Sequence, residues 1–310
     1  MLIMFKRLII LPLIFSALLL SYAYPLTSDF TGKIKLMTSS DFKEKQVLKL
    51  VSVGGIFAQG KTAYLDFTSS KPGLKISGTF QKKDFYAYPY KKMWRAVIGF
   101  SIDKPGNKDY LMILRAKDPA GNLSVYGYGV HVAKTRFRTL NFTLKPEKMK
   151  KLRPDVIEED WKPIEAEVIK EDPGKFLTGE FIRPAKGRIS MPFGLKENIN
   201  GDESGRHRGL DLAAAAGSPI IASNSGIVRL ARLLPAHGNV VVIDHGQGIF
   251  TYYAHMSKIL VTAGEKVKKG QLIGRVGSTG VATGPHLHFS VSLHNLRVDP
   301  MQWLEGVITD

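Results

Sequence analysis

The stretch His286-Leu287-His288-Phe289-Ser290-Val291-Ser292-Leu293 alternates polar and apolar side chains at every step. A period of two belongs to a β-strand, in which residues two apart share a face. Leu287 and Phe289 then point into a core, while His286 and His288 place two imidazoles together on the other face. The glycine-rich run 277–285, ending Gly284-Pro285, leads directly into this strand. Outward from it, Val- and Ile-rich segments at 226–230, 239–244, 249–254 and 271–276 alternate with glycine turns. Residues 179–310 therefore read as an antiparallel β domain with close turns and few helices.

The N-terminal side is also β in texture. Short apolar segments at 45–53, 62–67, 74–80, 94–102, 110–116 and 124–132 are separated by turn signals such as Lys71-Pro72-Gly73, Lys104-Pro105-Gly106-Asn107 and Asp118-Pro119-Ala120-Gly121-Asn122. Strands at this spacing predict a β-sandwich-like domain over 24–145. Residues 146–178 form a connector punctuated by Pro146, Pro154, Pro163 and Pro173. Proline fits the first turn of a helix but not its interior. The connector is therefore expected as short broken helices, near 156–161 and 164–170, or as an extended strap. The fold class is mainly β.

The chain has 310 residues, 44% of them apolar and 23% charged, enough for two domains with their own cores. It opens with Lys6 and Arg7, then an apolar run over 8–20 broken by Pro12 and Ser16, then Ser21-Tyr22-Ala23. This pattern reads as an export signal over 1–23. The run is shorter than the roughly 20 apolar residues that span a bilayer; an uncleaved N-terminal anchor is the alternative. Either way the remainder is expected outside the cytoplasm, in the periplasm or cell envelope, or secreted. Net charge is +17, and residues 24–145 hold 21 Lys and Arg against 8 acidic residues. A basic exported domain attracts anionic wall polymers or lipid headgroups, whereas nucleic acid is no expected partner there. There are no cysteines. Thiolate metal sites and cysteine nucleophiles are thereby excluded, and any metal must sit on His, Asp or Glu.

Seven of the 8 histidines fall between His207 and His294. In His207-Arg208-Gly209-Leu210-Asp211, an imidazole and a carboxylate four apart can face one metal if the chain bends at Gly209. The run Tyr252-Tyr253-Ala254-His255-Met256 ends an apolar β segment on His255, a candidate general base. His237, His245 and His294 read as structural or groove-lining.

These ordered segments resemble the LytM/lysostaphin-type zinc endopeptidases over about 181–303. The resemblance includes the His-x-x-x-Asp and His-x-His motifs and the run from Gly238 to Gly246. It also includes Tyr253-Ala254-His255-Met256, the run from Val267 to Gly274, and Val298-Asp299-Pro300. It implies one zinc ion held by His207, Asp211 and His288, with His255 and His286 flanking the catalytic water; which of the two is the base stays open. It also implies a groove across a sheet and, as substrate, peptide bonds in peptidoglycan stems or bridges; the sequence does not state which bond is cut, and a link between D-alanine and a diamino acid is the preferred expectation. The stretch Ala96-Val97-Ile98-Gly99-Phe100, with the turns that follow it, loosely resembles Ig-like modules that precede some cell-wall peptidases. One departure is that some members place a tyrosine shortly before the first ligand to hold an oxyanion. Here the loop reads Asn200-Gly201-Asp202-Glu203-Ser204-Gly205-Arg206, leaving Arg206, Arg208 or a later residue to substitute. The alternative function is a catalytically silent wall-binding protein or an activator of other wall hydrolases.

Overall fold

The computed structural model describes residues 34–37 and 47–306. The export signal expected over 1–23 lies outside them. Among the described residues no helix is long and apolar enough to cross a membrane.

The N-terminal part holds β1 (Ile34–Met37), β2 (Leu48–Gly55), β3 (Thr62–Ser69), β4 (Lys75–Phe80), β5 (Lys83–Tyr90), β6 (Met93–Gly99), β7 (Lys108–Lys117) and β8 (Leu123–Val132). They run β1-β8-β7-β4-β5-β6-β3-β2, each pair antiparallel. A parallel bridge between Ala58 and Ala133 ties the chain beyond β2 to the chain beyond β8. Alternate residues such as Leu65, Phe67, Ile98, Met112, Leu114 and Val130 fill one core. All eight strands join one hydrogen-bonded sheet, so the Ig-like likeness does not extend to two separate sheets.

The connector departs from expectation. After β9 (Thr139–Phe142) come the single turn α1 (Pro146–Met149), a 3₁₀ turn and α2 (Pro154–Val168). Helix α2 is 15 residues long and carries Pro163 in its interior. Ile164 and Val168 are buried and, with Trp161, pack on Leu230, Leu234, Val240, Val242, Phe250, Tyr252 and Ala254. Burying each aliphatic side chain contributes about 1.5–3 kcal/mol, which offsets the roughly 3 kcal/mol cost of an interior proline. Tertiary packing overrides the local signal.

The C-terminal part comprises β10 (Arg188–Met191), β11 (Lys196–Ile199), β12 (Asp202–Arg206), β13 (Leu210–Ala213), β14 (Pro219–Ile221), β15 (Gly226–Leu234) and β16 (Gly238–Asp244). These are followed by β17 (Ile249–Met256), β18 (Lys258–Ile259), β19 (Lys266–Val267), β20 (Leu272–Arg275), β21 (His286–Leu293), β22 (Leu296–Val298) and α3 (Pro300–Leu304). The main sheet runs β10-β13-β21-β17-β16-β15-β19, with β22 beside β21. Every residue of β17 is buried because both faces of the sheet are covered there. Tyr253, Phe289, Leu287, Leu212 and Trp303 fill the core on one face. Helix α2 covers Phe250 and Tyr252 on the other.

The two parts are joined at several points. Strand β9 pairs in parallel with β11, Thr139 opposite Lys196 and Phe142 opposite Ile199. Gln302 exchanges side-chain bonds of 2.8 and 3.1 Å with the backbone of Thr62. Arg208 grips both Asp103 oxygens at 2.9 and 3.0 Å.

Candidate metal centre

The site is built on the middle of the main sheet. In the β13–β21 ladder Asp211 lies opposite His288 and Ala213 opposite His286. On the other side of β21, His288 lies opposite Ala254. Asp211, His288 and Ala254 thus form one row across three strands. His207 enters from the β11–β12 hairpin: its N–H donates to Leu195 O at 2.8 Å, and its own carbonyl accepts from Gly194 N at 2.8 Å. The chain then passes Gly209, where a Cβ would lie 2.6 Å from the His288 ring and from Ser290 Oγ. Only glycine lets the backbone approach His288 this closely.

Three donor atoms converge. His207 Nε2 is 3.0 Å from Asp211 Oδ1 and 3.0 Å from His288 Nδ1. His288 Nδ1 is 2.9 Å from Asp211 Oδ1. Tetrahedral bonds of about 2.0 Å put ligand atoms about 3.3 Å apart, so the triangle accepts a zinc-sized ion with a slight expansion. Two imidazoles and one carboxylate suit zinc chemically. The far side of each ring is also held. His207 Nδ1–H donates to Pro192 O at 3.1 Å, leaving Nε2 free to ligate. His288 Nε2 bonds Ser290 Oγ at 2.9 Å, leaving Nδ1 free. Such outer partners fix tautomer and ring orientation.

Two more imidazoles stand beside the triangle. The His286 ring centre is 4.9 Å from that of His255, and His255 is 6.0 Å from His288. His286 Nδ1–H donates to Gly284 O and His255 Nδ1–H to Thr279 O, each at 2.9 Å. In each ring this leaves Nε2 as the nitrogen directed away from the backbone carbonyl. His286 Nε2 lies 3.6 Å from Asp211 Oδ2. His255 has φ of +61°. This left-handed conformation costs a non-glycine residue about 1–3 kcal/mol and ends the regular alternation of β17.

Burial penalises the charge on Asp211, but His207 and hydrogen bonds from His207 and His288 outweigh it and hold the carboxyl well below its usual range. Burial likewise works against a charged His207, and the Asp211 carboxylate overrides it, raising that imidazole. Burial pushes His288 down to about 4. Burial, reinforced by His286 and His288, drives His255 well below its ordinary value. His288 and His255 are thus held toward their neutral forms beside an ionised Asp211, and a bound cation would displace any proton from His207.

All five residues singled out from the sequence come together here. The other C-terminal histidines do not join them. His237 sits against Asp160, His245 is enclosed by Ser225 and Thr251, and His294 meets Glu171. Arg206 stacks on Phe137 and bonds Gly194 O, while Arg208 is engaged by Asp103. Glu197 on β11 was not foreseen. It lies opposite Gly205 in the hairpin that leads to His207. Burial and the Asp211 charge raise its carboxyl, against the pull of His207. Its only sequence signal is its place two residues after Leu195, on the hairpin face that His207 shares.

Residues 205–300 match the family model described as Peptidase family M23. Peptidoglycan DD-endopeptidase ShyA of Vibrio cholerae is 46% identical over 96 residues, 31% of this chain and 22% of that protein. DD-carboxypeptidase/endopeptidase Mpg of Neisseria meningitidis is 40% identical over 114 residues, 37% of this chain and 26% of that protein. The chain thus spans about a quarter of the length of these relatives. A crystal structure from Pseudomonas aeruginosa assigned to peptidase M23 superposes with a TM-score of 0.60 at 29% identity, covering 81% of this chain and 96% of the other. That likeness reaches beyond the C-terminal domain. The chain therefore carries, over residues 205–300, a domain of peptidase family M23, and all three residues of the donor triangle lie within it.

Proposed function

We propose that this protein is a zinc-dependent endopeptidase that hydrolyses peptide cross-links of bacterial peptidoglycan. The observation that carries the reading is the convergence of His207 Nε2, Asp211 Oδ1 and His288 Nδ1 within about a zinc coordination sphere. Zinc there supplies the Lewis acidity that polarises a peptide carbonyl and acidifies water. The chain's own part is proton handling. His255 and His286 have their Nδ1 protons committed to Thr279 O and Gly284 O. Each Nε2 can then accept a proton from the attacking water and return it to the leaving amine. His286 Nε2, near Asp211 Oδ2, is held toward the donor triangle. Intact ligands and both flanking imidazoles favour catalysis over a silent wall-binding role.

The DD-endopeptidase relatives support peptidoglycan as substrate, with a D-alanyl link to a diamino acid as the bond cut. They also support a place in the cell envelope. The excess of Lys and Arg over 24–145 supports contact with anionic wall polymers or a membrane surface. The test incubates the zinc-loaded protein with purified sacculi and follows released peptides by mass spectrometry, with and without a chelator. Chelator-sensitive release of cross-linked stems is the expected outcome. No release at full zinc occupancy would remove the proposal.

A further inference from the structure

The connector, which precedes the residues matched by the family, reaches the catalytic side of the domain at two points. From α2, the buried Asp160 directs Oδ2 at three donors: Ala236 N at 2.7 Å, His237 N at 2.9 Å and His237 Nδ1 at 2.8 Å. From α1, Lys148 Nζ donates to Gly280 O at 2.7 Å. The loops they hold touch each other. Val281 N donates to Ala236 O at 2.8 Å, and a Cβ on Gly280 would lie 2.3 Å from that oxygen.

Both loops grip His255. The His255 N–H donates to His237 O at 2.9 Å, and Thr279 N approaches His255 O at 3.4 Å. The ring is fixed through Nδ1 to Thr279 O at 2.9 Å. A residue at φ +61° in a strand end stays there when its surroundings over-determine it. The surroundings of His255 are the 236–238 and 279–281 loops, and the first of these is anchored on Asp160. The other Asp160 oxygen is buried without a hydrogen-bond partner. A carboxylate concentrated on one point, at the expense of its second oxygen, is a costly arrangement for filling a core.

We infer that Asp160 is a positioning residue for catalysis: it holds the His237 carbonyl, and through it the left-handed backbone of His255, so that the His255 imidazole faces the metal centre. Lys148 braces the second loop through Gly280 O. The inference rests on the endopeptidase reading. It adds that the connector supplies part of the catalytic geometry from outside the matched segment. Because Asp160 acts through His255, its removal affects turnover and not metal or substrate binding.

The test measures kcat, KM and bound zinc for the full-length protein on a soluble cross-linked muropeptide. Wild type is compared with D160A, D160N, K148M, H255A and D160A/H255A. In D160A, kcat is expected to fall about 10-fold or more with KM within about twofold and zinc unchanged, as for a displaced catalytic group. D160N, which keeps an acceptor oxygen, should fall between D160A and wild type. In the H255A background D160A should change the residual rate by less than about twofold, since the group it positions is gone. If D160A fails to fold, K148M serves in its place, with an expected loss in kcat of about threefold at constant KM. Wild-type kcat in the folded variants, or an equal loss with and without His255, would overturn the inference. A wild-type protein with full zinc and no hydrolysis would sink the endopeptidase reading first and this inference with it.

Discussion

Lowering the pH should destabilise the C-terminal core through His245, which takes no part in the metal centre. Its side chain has no exposed surface. Nδ1 lies 2.7 Å from Ser225 O, a carbonyl that can only accept, so Nδ1 carries the proton. Nε2 lies 2.8 Å from Thr251 Oγ1. Among these neighbours no carboxylate offsets a charge on the ring, and burial pushes the imidazole from 6.5 down to about 4. Below pH 6.5 the unfolded chain binds this proton and the folded chain does not. Stability is therefore fully present above pH 6.5, falls as pH drops, and has lost the whole contribution below pH 4. At about 1.4 kcal/mol per pH unit the loss is about 3 kcal/mol. The assay is urea unfolding at pH 7, 5.5 and 4 for wild type and His245→Asn, both in chelator so that metal linkage is equal. Titration of the other histidines cancels in the difference. The stability advantage of wild type over the variant is expected to shrink by about 3 kcal/mol between pH 7 and pH 4. A difference that stays constant to within about 0.5 kcal/mol would refute the account of a neutral, fully desolvated imidazole.

Three further outcomes are expected. His288→Ala removes one of three donors; bound zinc by elemental analysis should drop below about a tenth of an equivalent, and peptide release should fall at least about 100-fold. Zinc retained at one per chain would contradict the ligand assignment. Ser290→Ala leaves the ligands intact but frees the far nitrogen of His288, so zinc affinity by competition titration should weaken about 10-fold; unchanged affinity would show that Ser290 does not orient the ring. Pro163→Ala restores a backbone donor within α2 and should stabilise the protein by about 1–3 kcal/mol in urea unfolding. A loss of stability would mean that the proline itself contributes to the packing of α2.

Strand β21 was legible from sequence because its alternation is unbroken and its inward side chains, Leu287, Phe289, Val291 and Leu293, are all core residues. The five polar residues of the metal centre were legible for a related reason. They lie in short motifs whose chemistry depends on spacing along the chain. What escaped notice depends on distant partners. Strand β5 alternates Phe85 and Ala87 inward against tyrosines on its other face, and Pro89 near its end masks the pattern. Helix α2 persists through Pro163 because of a hydrophobic surface contributed by strands far along the chain. The outer holders of the imidazoles, Pro192 O, Thr279 O and Gly284 O, are backbone carbonyls, which have no residue signature. Asp160 lies in a proline-punctuated, charged connector, where no local pattern separates it from the neighbouring acids.

The parallel pairing of β9 with β11 bears on how the domain can be isolated. β9 occupies one margin of the three-stranded unit from which His207 is presented. A shortened chain beginning after residue 142 would leave the amides and carbonyls of β11 without their neighbour, within a few residues of the first ligand. Bare margins of this kind recruit strands from other molecules. Such a fragment is expected to self-associate beside the donor triangle, so the segment that carries β9 is expected to act as a solubility cover.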